Sequence, residues 1–457
     1  MTSTFRLETK GHLSTRMSRW FVPVLGLAIL SLIAFLYRYD SPTYFRIVKF
    51  LMMAPFRTPF IDTAQIPAVV DCARHGVDVF VTAPCDPLER PLAYSPLWLS
   101  ATFLPADPSW LNYIGLVLDA AFFLSLTLLP VRGRWWSILI FALATFSSLP
   151  AFALERGNMD VVMFVLIAIG GWFCARPALR YLGYPVLTLA GLLKFYPLVL
   201  FLLFFRERII SFILLCALGA GVIVAFGFIY QSELSEMAHN LPDIGLFIDG
   251  FGFKQMPSGI GTILYRLAKQ LNLDDDPFVR SLNLQSSALL ALDILCILVV
   301  ATLTLAFWLA TRPAFRSAFA ALSAVERVFL VVGSVLICGC FFAGQNVSYR
   351  GIHFLFLIPG VVALASDPPA GPIRSLFRMT TVIIFLLLWG LTLQQLVAWL
   401  SGGSPSPMGG SVAMYLYWIA HELAWWWVIS VLLGILFCFV STSPVWQDLF
   451  RLRRRVS

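Results

Sequence analysis

The feature that most constrains this chain is a series of apolar runs, most of them about as long as the roughly 20 residues that a helix needs to cross a membrane. Hydrophobic residues make up 59% of the sequence and charged residues 12%, against about 45–50% and 25% in soluble domains. We therefore expect one all-α polytopic membrane domain over residues 1–457, with about 10–12 transmembrane helices. The candidate spans are 20–37, 109–130, 135–154, 159–174, 209–230, 288–310, 328–345, 353–366, 380–400 and about 418–441.

The short basic connections predict an orientation. Cytoplasmic loops carry an excess of Lys and Arg, and the formal net charge of +8 is concentrated in such loops, so it indicates topology and not nucleic-acid binding. The N-terminal run, without a cleavage site, favours an uncleaved signal-anchor. We expect a bacterial inner-membrane protein with both termini in the cytoplasm. The outward-facing segments are then 38–108, 155–158, 231–287, 346–352 and 401–417.

One apolar stretch, 181–205, fits this orientation only if it turns back. Basic pairs flank it on both sides, and Lys194 interrupts it. Two arms of about 12 residues would each span about 18 Å, which is too short for a bilayer core of about 30 Å. The sequence therefore predicts a re-entrant or tilted hairpin that turns at residues 194–197. Such broken helices exist only where protein or a water-filled cavity covers them.

Two outward segments are long: a first periplasmic loop over 38–108 and a second over 231–287. Loops longer than about 15 residues usually have a function. The start of the first loop, 44–56, is amphipathic and suits the membrane interface. Cys72 and Cys85 lie in this loop, where an oxidising periplasm allows them to pair; two free thiols are the alternative.

Polar groups gather on the outward-facing side. One set joins two predicted spans and comprises Glu155, Arg156, Asn158 and Asp160; another comprises Asn346, Tyr349, Arg350 and His353. Lys194 lies in the predicted hairpin. Ionisable groups at membrane depth are costly and are functional candidates by default. The plainer alternatives are an interfacial ion pair at Glu155, a lipid headgroup contact at Arg350 and a snorkelling Lys194.

Other polar groups favour a structural reading. Asp119 and Asp293 lie inside predicted spans and suit contacts with neighbouring helices. His421 and the Trp425–Trp427 run suit an aromatic belt. The sequence has no metal-binding motif, no P-loop and no dinucleotide fingerprint, so we expect no metal and no cofactor. An enzyme on this side needs a donor that is already activated and already in the membrane.

Several short motifs occur in an order that resembles a known family. They are G-x-D-V-F and Y-S-P-L in the first loop, R-G-N-x-D at the start of a span, L-K-F-Y-P before R-E-R, and N-V-S-Y-R-G-I-H near the end. This pattern resembles the GT-C glycosyltransferases, and specifically the polyprenyl-phosphate-mannose-dependent α-mannosyltransferases. The resemblance implies transfer of a sugar, mannose first, from a polyprenyl-phosphate donor to a cell-envelope glycan or glycolipid acceptor.

The resemblance also implies an Asp in the first loop as catalytic base. Asp62 fits best, with Asp71 as the fallback. A carboxylate can take the proton of an attacking hydroxyl, and cations can stabilise the phosphate leaving group. Lys194 and Arg350 suit that role, and Arg156 is a weaker candidate. We expect the remaining substrate-binding residues to be Glu155, Asn158, Tyr196 and His353.

Two other functions remain open from the sequence. A transporter or flippase of a lipid-linked saccharide would use Asp119 and Asp293 as coupling carboxylates and would show inverted repeats. A polysaccharide polymerase or ligase would use loop arginines, for which Arg266 and Arg280 are the candidates. Membrane lipids are partners in every case, and nucleic acid in none.

Overall fold

The chain folds almost entirely into helices. The computed structural model describes residues 15–51, 56, 58–240, 247, 250–270, 284–367, 371–402 and 411–456. The first α-helices are α1 (Thr15–Tyr39), α2 (Ser41–Phe50), α3 (Ile61–Arg74), α4 (Leu111–Ser125), α5 (Trp135–Thr145), α6 (Ser148–Glu155), α7 (Met159–Cys174), α8 (Arg180–Lys194), α9 (Ile209–Ile229) and α10 (Gln231–His239). The later ones are α11 (Gln255–Gln270), α12 (Leu284–Thr311), α13 (Pro313–Ala321), α14 (Ala324–Ala343), α15 (Phe354–Ser366), α16 (Pro372–Leu388), α17 (Gly390–Leu400), α18 (Val412–Ser441) and α19 (Pro444–Val456).

Short 3₁₀ helices and one small sheet complete the fold. The 3₁₀ helices cover Pro96–Ser100, Pro108–Trp110, Leu126–Leu128, Tyr196–Arg206 and Ser348–His353. Strands β1 (Gly250–Phe251) and β2 (Asn346–Val347) pair antiparallel, with Gly250 opposite Val347. This pair joins the second polar segment, 231–287, to the turn before α15.

Seven helices are long and apolar enough to cross a membrane, and two bent helix pairs bring the number to as many as nine in the described residues. This confirms an all-α, multi-pass membrane protein. One predicted span, 159–174, occurs as the shorter apolar helix α7, and one arm of the predicted hairpin occurs as the apolar 3₁₀ helix Tyr196–Arg206. The helices α14 and α15 form the centre, because 78% and 89% of the residues in their spans are buried. The α9 and α12 spans are 11% buried, and their apolar surfaces suit contact with lipid.

The predicted spans over 135–154 and 380–400 each coincide with a bent pair of helices and not with a single helix. The first divides into α5 and α6, which meet at 48°, and the second into α16 and α17, which meet at 71°. Pro150 explains the first bend, since a helical proline has no N–H to donate and its ring clashes with the carbonyl four residues earlier, at Phe146. At the second bend the helix restarts at Gly390, whose carbonyl accepts a hydrogen bond from the Tyr417 hydroxyl at 2.6 Å.

The predicted break at residues 194–197 is confirmed. The helix α8 ends at Lys194, Phe195 has a φ of +55°, and the 3₁₀ helix Tyr196–Arg206 packs back against α8. At about 1.5 Å and 2.0 Å per residue, each arm is about 22 Å long. The turn places Lys194 and Tyr196 inside the protein, where their neighbours replace water as polar partners.

The first polar segment, 38–108, is a folded unit. Cys72 and Cys85 form a disulfide, as one of the two alternatives predicted. Around it lies a small apolar core of Val69, Cys72, Val79, Phe80, Ala83, Leu92 and Met237. Asn240 donates its side-chain amide to the carbonyl of Phe80 at 2.5 Å, so the start of the second polar segment docks on the first. In α2, Tyr44 and Val48 are buried while Phe50 is exposed.

Candidate functional site

Asp62 accepts hydrogen bonds from three side chains brought from two distant segments. Arg90 Nη1 donates to Oδ1 at 2.8 Å. Arg156 donates from Nε to Oδ2 at 3.0 Å and from Nη2 to Oδ1 at 3.1 Å. Asn158 Nδ2 donates to Oδ2 at 2.7 Å. Asp62 itself is 4% exposed, so these donors replace nearly all of its hydration.

The R-G-N turn lies against the first turn of α3. The backbone N–H groups of Phe60 and Asp62 donate to the carbonyls of Glu155 and Arg156, at 2.8 and 3.0 Å. The Thr63 hydroxyl donates to the Gly157 carbonyl at 2.6 Å. The first N–H groups of a helix have no hydrogen-bond partner within the helix. The turn supplies such a partner, the Arg156 carbonyl, for the Asp62 N–H.

Gly157 is required in this turn for two reasons. Its φ is +55°, in the region that glycine enters without steric cost. A Cβ at this position would also lie 2.2 Å from Thr63 Oγ1. The glycine therefore allows the close approach that brings Arg156 and Asn158 to Asp62.

Asn158 connects Asp62 to Lys194. It is the N-cap residue of α7, and its Oδ1 accepts from the backbone N–H of Asp160 at 3.0 Å. The same oxygen accepts from Lys194 Nζ at 3.0 Å, while its Nδ2 donates to Asp62. One side chain therefore caps a helix and links a carboxylate to an ammonium group.

From Lys194 the contacts continue to His353. Lys194 Nζ lies 3.0 Å from Asp160 Oδ1, and the Tyr196 hydroxyl donates to that oxygen at 2.8 Å. The Tyr196 oxygen also lies 2.6 Å from His353 Nε2. Since the hydroxyl has one proton, which it gives to Asp160, Nε2 must carry the proton that it donates to Tyr196. We call Asp62, Asn158, Asp160, Lys194, Tyr196, Arg350 and His353 the polar cluster.

Arg350 is the cation of the polar cluster that has hydrogen-bonding capacity to spare. Its guanidinium lies 5.1 Å from the centre of the Tyr196 ring, and its Nε is 3.8 Å from Asp160 Oδ2. That Nε has no hydrogen-bond partner among the described residues. The side chain is 25% exposed, so a ligand that enters the cluster reaches this guanidinium.

The charges of this network do not cancel. Four cations, from Arg90, Arg156, Lys194 and Arg350, contact three carboxylates, from Asp62, Asp86 and Asp160. One positive charge remains in this set of contacts. Two tyrosine rings, of Tyr94 and Tyr349, lie 5.2 and 5.9 Å from Lys194 Nζ. The arrangement suits an anion beside Lys194 and Arg350.

Arg90 was not among the predicted functional candidates, whereas Asp160 was named among them but was not assigned a substrate-binding role. Asp86 holds Arg90 through three bonds: from Nε at 2.9 Å, from Nη2 at 3.1 Å and from the backbone N–H at 3.0 Å. The four-residue spacing of Asp86 and Arg90 does not by itself indicate this pair, because the two residues lie in a non-helical segment. No pattern in the sequence indicates that Arg90 then reaches Asp62, because that contact depends on the fold of the first polar segment.

The protein environment sets the ionisation of Asp62. Burial alone would raise the pKa of this carboxyl, and Arg156, Asn158 and Arg90 more than offset burial, so the pKa lies below the ordinary value. Asp62 is thus an anion at neutral pH. Its four hydrogen bonds also occupy the roughly four acceptor positions that a carboxylate has.

The other predicted residues lie elsewhere. Glu155 turns away from Asp62 and accepts a 3.4 Å hydrogen bond from Tyr44. Asp71 lies near the far end of α3, beside His75. Asp119 is buried, whereas Asp293 lies on an exposed face of α12. Arg280 falls outside the described residues, and Arg266 has an interaction partner.

The expected aromatic belt near His421 is wrong. Trp425 and Trp426 are 1% and 3% exposed, and Trp425 stacks on Phe251 with ring centres 4.2 Å apart. These tryptophans pack inside the helical bundle, because α18 contacts other helices along most of its length. His421 lies 3.3 Å from the buried carboxylate of Glu422.

Comparison with models of protein families, with curated proteins and with solved structures gives no match for this chain. Among the described residues, no three His, Cys, Asp or Glu side chains form a group that could hold a metal ion. The functional argument therefore depends on the chemistry of the polar cluster.

Proposed function

We propose that this chain is a membrane-embedded glycosyltransferase of the GT-C type. It transfers a sugar, mannose first among the candidates, from a polyprenyl-phosphate donor to a cell-envelope acceptor. In this proposal the protein lies in the bacterial inner membrane with both termini in the cytoplasm, and its polar cluster faces the periplasm. The Cys72–Cys85 disulfide supports that side, because disulfides persist in oxidising compartments.

The observation that carries the proposal is the excess positive charge next to Asp62. Lys194 and Arg350 converge near Asp160, and Arg350 Nε lacks a hydrogen-bond partner among the described residues. A phosphate ester is an anion with several acceptor oxygens, and Arg binds phosphate through its planar fork of donors. A neutral saccharide alone would not need this unbalanced charge.

In the proposed reaction, the acceptor hydroxyl oxygen attacks the anomeric carbon of the donor sugar. The new carbon–oxygen bond forms as the bond from that carbon to the phosphate oxygen breaks, and the phosphate leaves with the electron pair. The Asp62 carboxylate takes the hydroxyl proton, while Lys194 and Arg350 stabilise the charge on the leaving phosphate. A single displacement of this kind inverts the anomeric configuration.

For Asp62 to act as the base, one of its four hydrogen bonds must be exchanged for the acceptor hydroxyl. Arg90 is held in place by Asp86. Besides Asp62, the Arg156 guanidinium contacts two aromatic rings, of Phe56 and Phe152, at 4.9 and 5.6 Å. We therefore assign the movement to Arg156. Its departure would raise the pKa of Asp62 and make the carboxylate a stronger base.

The test uses purified protein in nanodiscs with a panel of polyprenyl-phosphate sugars and a cell-envelope lipid extract as acceptor. Released polyprenyl phosphate and glycosylated acceptor are quantified by mass spectrometry. We expect sugar-dependent release in the wild type and a 10²–10⁴-fold slower reaction in Asp62→Asn, the range for loss of a general base. Asp71→Asn is the matched control, a carboxylate on the same helix away from the polar cluster.

Each outcome assigns the function differently. Equal rates in wild type and Asp62→Asn, with Asp71→Asn slow, would move the base to Asp71. Release from no donor would overturn the transferase and favour a lipid-linked saccharide transporter. Transport of such a saccharide into proteoliposomes would then be measured, with Asp119→Asn and Asp293→Asn as the variants.

A further inference from the structure

A large cavity lies beside the polar cluster, between α1, α2, α4 and α6. Its volume is about 1070 Å³, at the upper end of the range for ligand pockets. Most of its lining is apolar and includes Ile33 and Ala34 of α1 and Leu116 and Phe123 of α4. The lining residues of α1 run from Ile29 to Arg38, which is about 14 Å along the helix axis. A cavity of this shape suits a hydrocarbon chain.

Two carboxyl groups in this lining each have one buried oxygen without a hydrogen-bond partner among the described residues. Asp119 is 3% exposed, and its Oδ1 has no hydrogen bond among the described residues. Glu155 Oε2 is buried and also lacks one, while its Oε1 accepts from the Tyr44 hydroxyl at 3.4 Å. Buried polar atoms are nearly always hydrogen-bonded, so these two oxygens point to a ligand group. We call this space, with Asp119, Glu155 and Tyr44, the carboxyl cavity.

The chemistry of these groups selects the ligand. A hydroxyl both donates and accepts, so it can pair with a carboxyl group in either protonation state. A phosphate only accepts at neutral pH and needs cations, and the cations of this region contact the polar cluster. The cavity lining itself contains one cation among the described residues, Arg38, whose side chain is exposed. The carboxyl cavity therefore suits an uncharged, hydroxylated head group.

The carboxyl cavity and the polar cluster share a wall. Phe60 and Glu155 line the cavity. Phe60 is two residues before Asp62, and Glu155 directly precedes Arg156, which donates to Asp62. The Phe60 N–H donates to the Glu155 carbonyl at 2.8 Å, and Phe60 has a φ of +60°. The turn that brings Arg156 and Asn158 to Asp62 therefore also contributes to the cavity lining.

We propose that the carboxyl cavity binds a lipid with an uncharged, hydroxylated head group. Its chains lie against α1 and α4, and its hydroxyls pair with Asp119, Glu155 and Tyr44. This binding does not depend on the proposed transferase function.

Direct binding to the full chain in detergent micelles tests this. The probes are a monoglycosyl diacylglycerol, phosphatidic acid with the same acyl chains, and a soluble methyl glycoside; native mass spectrometry gives each Kd. We expect the glycolipid to bind at least tenfold more tightly than phosphatidic acid and the methyl glycoside not to bind measurably. Ala34→Trp, which fills the cavity, and Asp119→Leu each weaken glycolipid binding at least tenfold. Leu218→Trp is the control, because Leu218 is 66% exposed on α9.

Thermal unfolding separates a binding role of Asp119 from a structural one. Removing an unpartnered buried carboxyl does not destabilise the protein, so Asp119→Leu keeps or raises the thermal midpoint while it weakens binding. Equal Kd values for glycolipid and phosphatidic acid, unaffected by either variant, would mean that ordinary bilayer lipid fills the cavity and would overturn the proposal. Glycolipid binding without any sugar transfer would leave the site intact and remove the proposed function.

Discussion

The polar cluster and the carboxyl cavity lie on two sides of the same turn, yet their buried carboxyl groups differ in whether cations pair with them. In the polar cluster, Asp62 accepts four hydrogen bonds from side chains, and Asp160 faces Lys194 and Arg350. In the carboxyl cavity, Asp119 and Glu155 each leave one buried oxygen without a partner in the described residues. In the first region Asp160 Oδ2 and His353 Nδ1 also lack hydrogen-bond partners, but each carboxylate there is paired with a cation. Among the described residues, Asp119 and Glu155 form no ion pair.

The two regions therefore differ in where their buried polar groups find partners. Buried charges need partners, because the loss of hydration is large, so the carboxylates of the polar cluster serve first to hold its cations in place. Four separate segments contribute to it: α3, the α6–α7 turn, the α8 turn and the segment before α15. The remaining positive charge is then positioned without freedom to reorient, which is how electrostatic stabilisation of a leaving group works best. In the carboxyl cavity, by contrast, we propose that a ligand supplies the missing hydrogen-bond partners of Asp119 and Glu155.

The same substitution in both regions gives the largest expected contrast. Asp160→Leu leaves Lys194 and Arg350 without their shared carboxylate, and breaking a buried charge pair in this way costs about 3–5 kcal/mol. Asp119→Leu removes a carboxyl with an unpartnered oxygen and is neutral or stabilising. Chemical denaturation in mixed micelles, followed by tryptophan fluorescence, measures both. A similar loss of stability in the two variants would mean that Asp119 has a partner that stabilises the fold.

The sequence predicted the spans better than it predicted the contacts between segments. Long apolar runs report helices directly, because a helix satisfies its own backbone hydrogen bonds in lipid. The break at Lys194 was also predictable, since a charge inside an apolar run and a nearby proline, Pro197, both mark it. The bend before Pro150 was missed, although the proline itself was a signal.

Most predicted polar residues do meet, but their roles needed the structure. Asp62, Asn158, Lys194, Tyr196, Arg350 and His353 join one network, as polar groups near span ends can do when the spans pack together. The sequence gives no direction for a side chain, so it did not indicate that Glu155 faces a different space from its neighbour Arg156. Nor did it indicate that Arg90, in a non-helical segment, would contact Asp62.

The second prediction concerns Lys194, one of the two cations proposed to bind the phosphate. Lys194→Met removes a donor that lies 3.0 Å from Asp160 and near the proposed phosphate position. Loss of one such charge-stabilising group typically slows a reaction by about 10²–10³-fold. We expect this loss in polyprenyl-phosphate release and a weaker Kd for polyprenyl phosphate. The control is Lys254→Met, because Lys254 is exposed and contacts the Phe253 ring.

A double variant separates charge balance from ligand binding at Lys194. Asp160→Asn together with Lys194→Met removes one charge of each sign, so we expect it to be more stable than Lys194→Met alone. It should bind polyprenyl phosphate no better than the single variant. Recovery of both stability and affinity would reduce Lys194 to a counter-ion of Asp160.

The third prediction tests how much Arg156 contributes to holding Asp62. Arg156→Gln removes two hydrogen bonds to a carboxylate, and bonds to a charged group contribute about 1.5–3 kcal/mol each at most. Because Arg90 and Asn158 remain, we expect a total loss of about 1.5–3 kcal/mol in mixed-micelle denaturation. Arg208→Gln, at an exposed position, should change stability by less than about 0.5 kcal/mol. An equally small change in Arg156→Gln would show that Arg90 and Asn158 hold Asp62 without Arg156.

The smallest expected effect is the pH dependence that Asp62 gives to stability. Its pKa in the folded protein lies below the ordinary value, which is about 3.9 in an unfolded chain. A group whose folded pKa is depressed stabilises the protein above its unfolded pKa, and this contribution is lost as the pH falls through the folded pKa. The difference in thermal midpoint between wild type and Asp62→Asn should therefore stay constant from pH 8 to about 5 and shrink below about 4. In the Arg156→Gln background the decline should be smaller, because without the guanidinium the folded pKa lies closer to the unfolded value. A difference that instead grows in favour of the wild type as the pH falls from 7 to 5 would mean that burial outweighs the four hydrogen bonds.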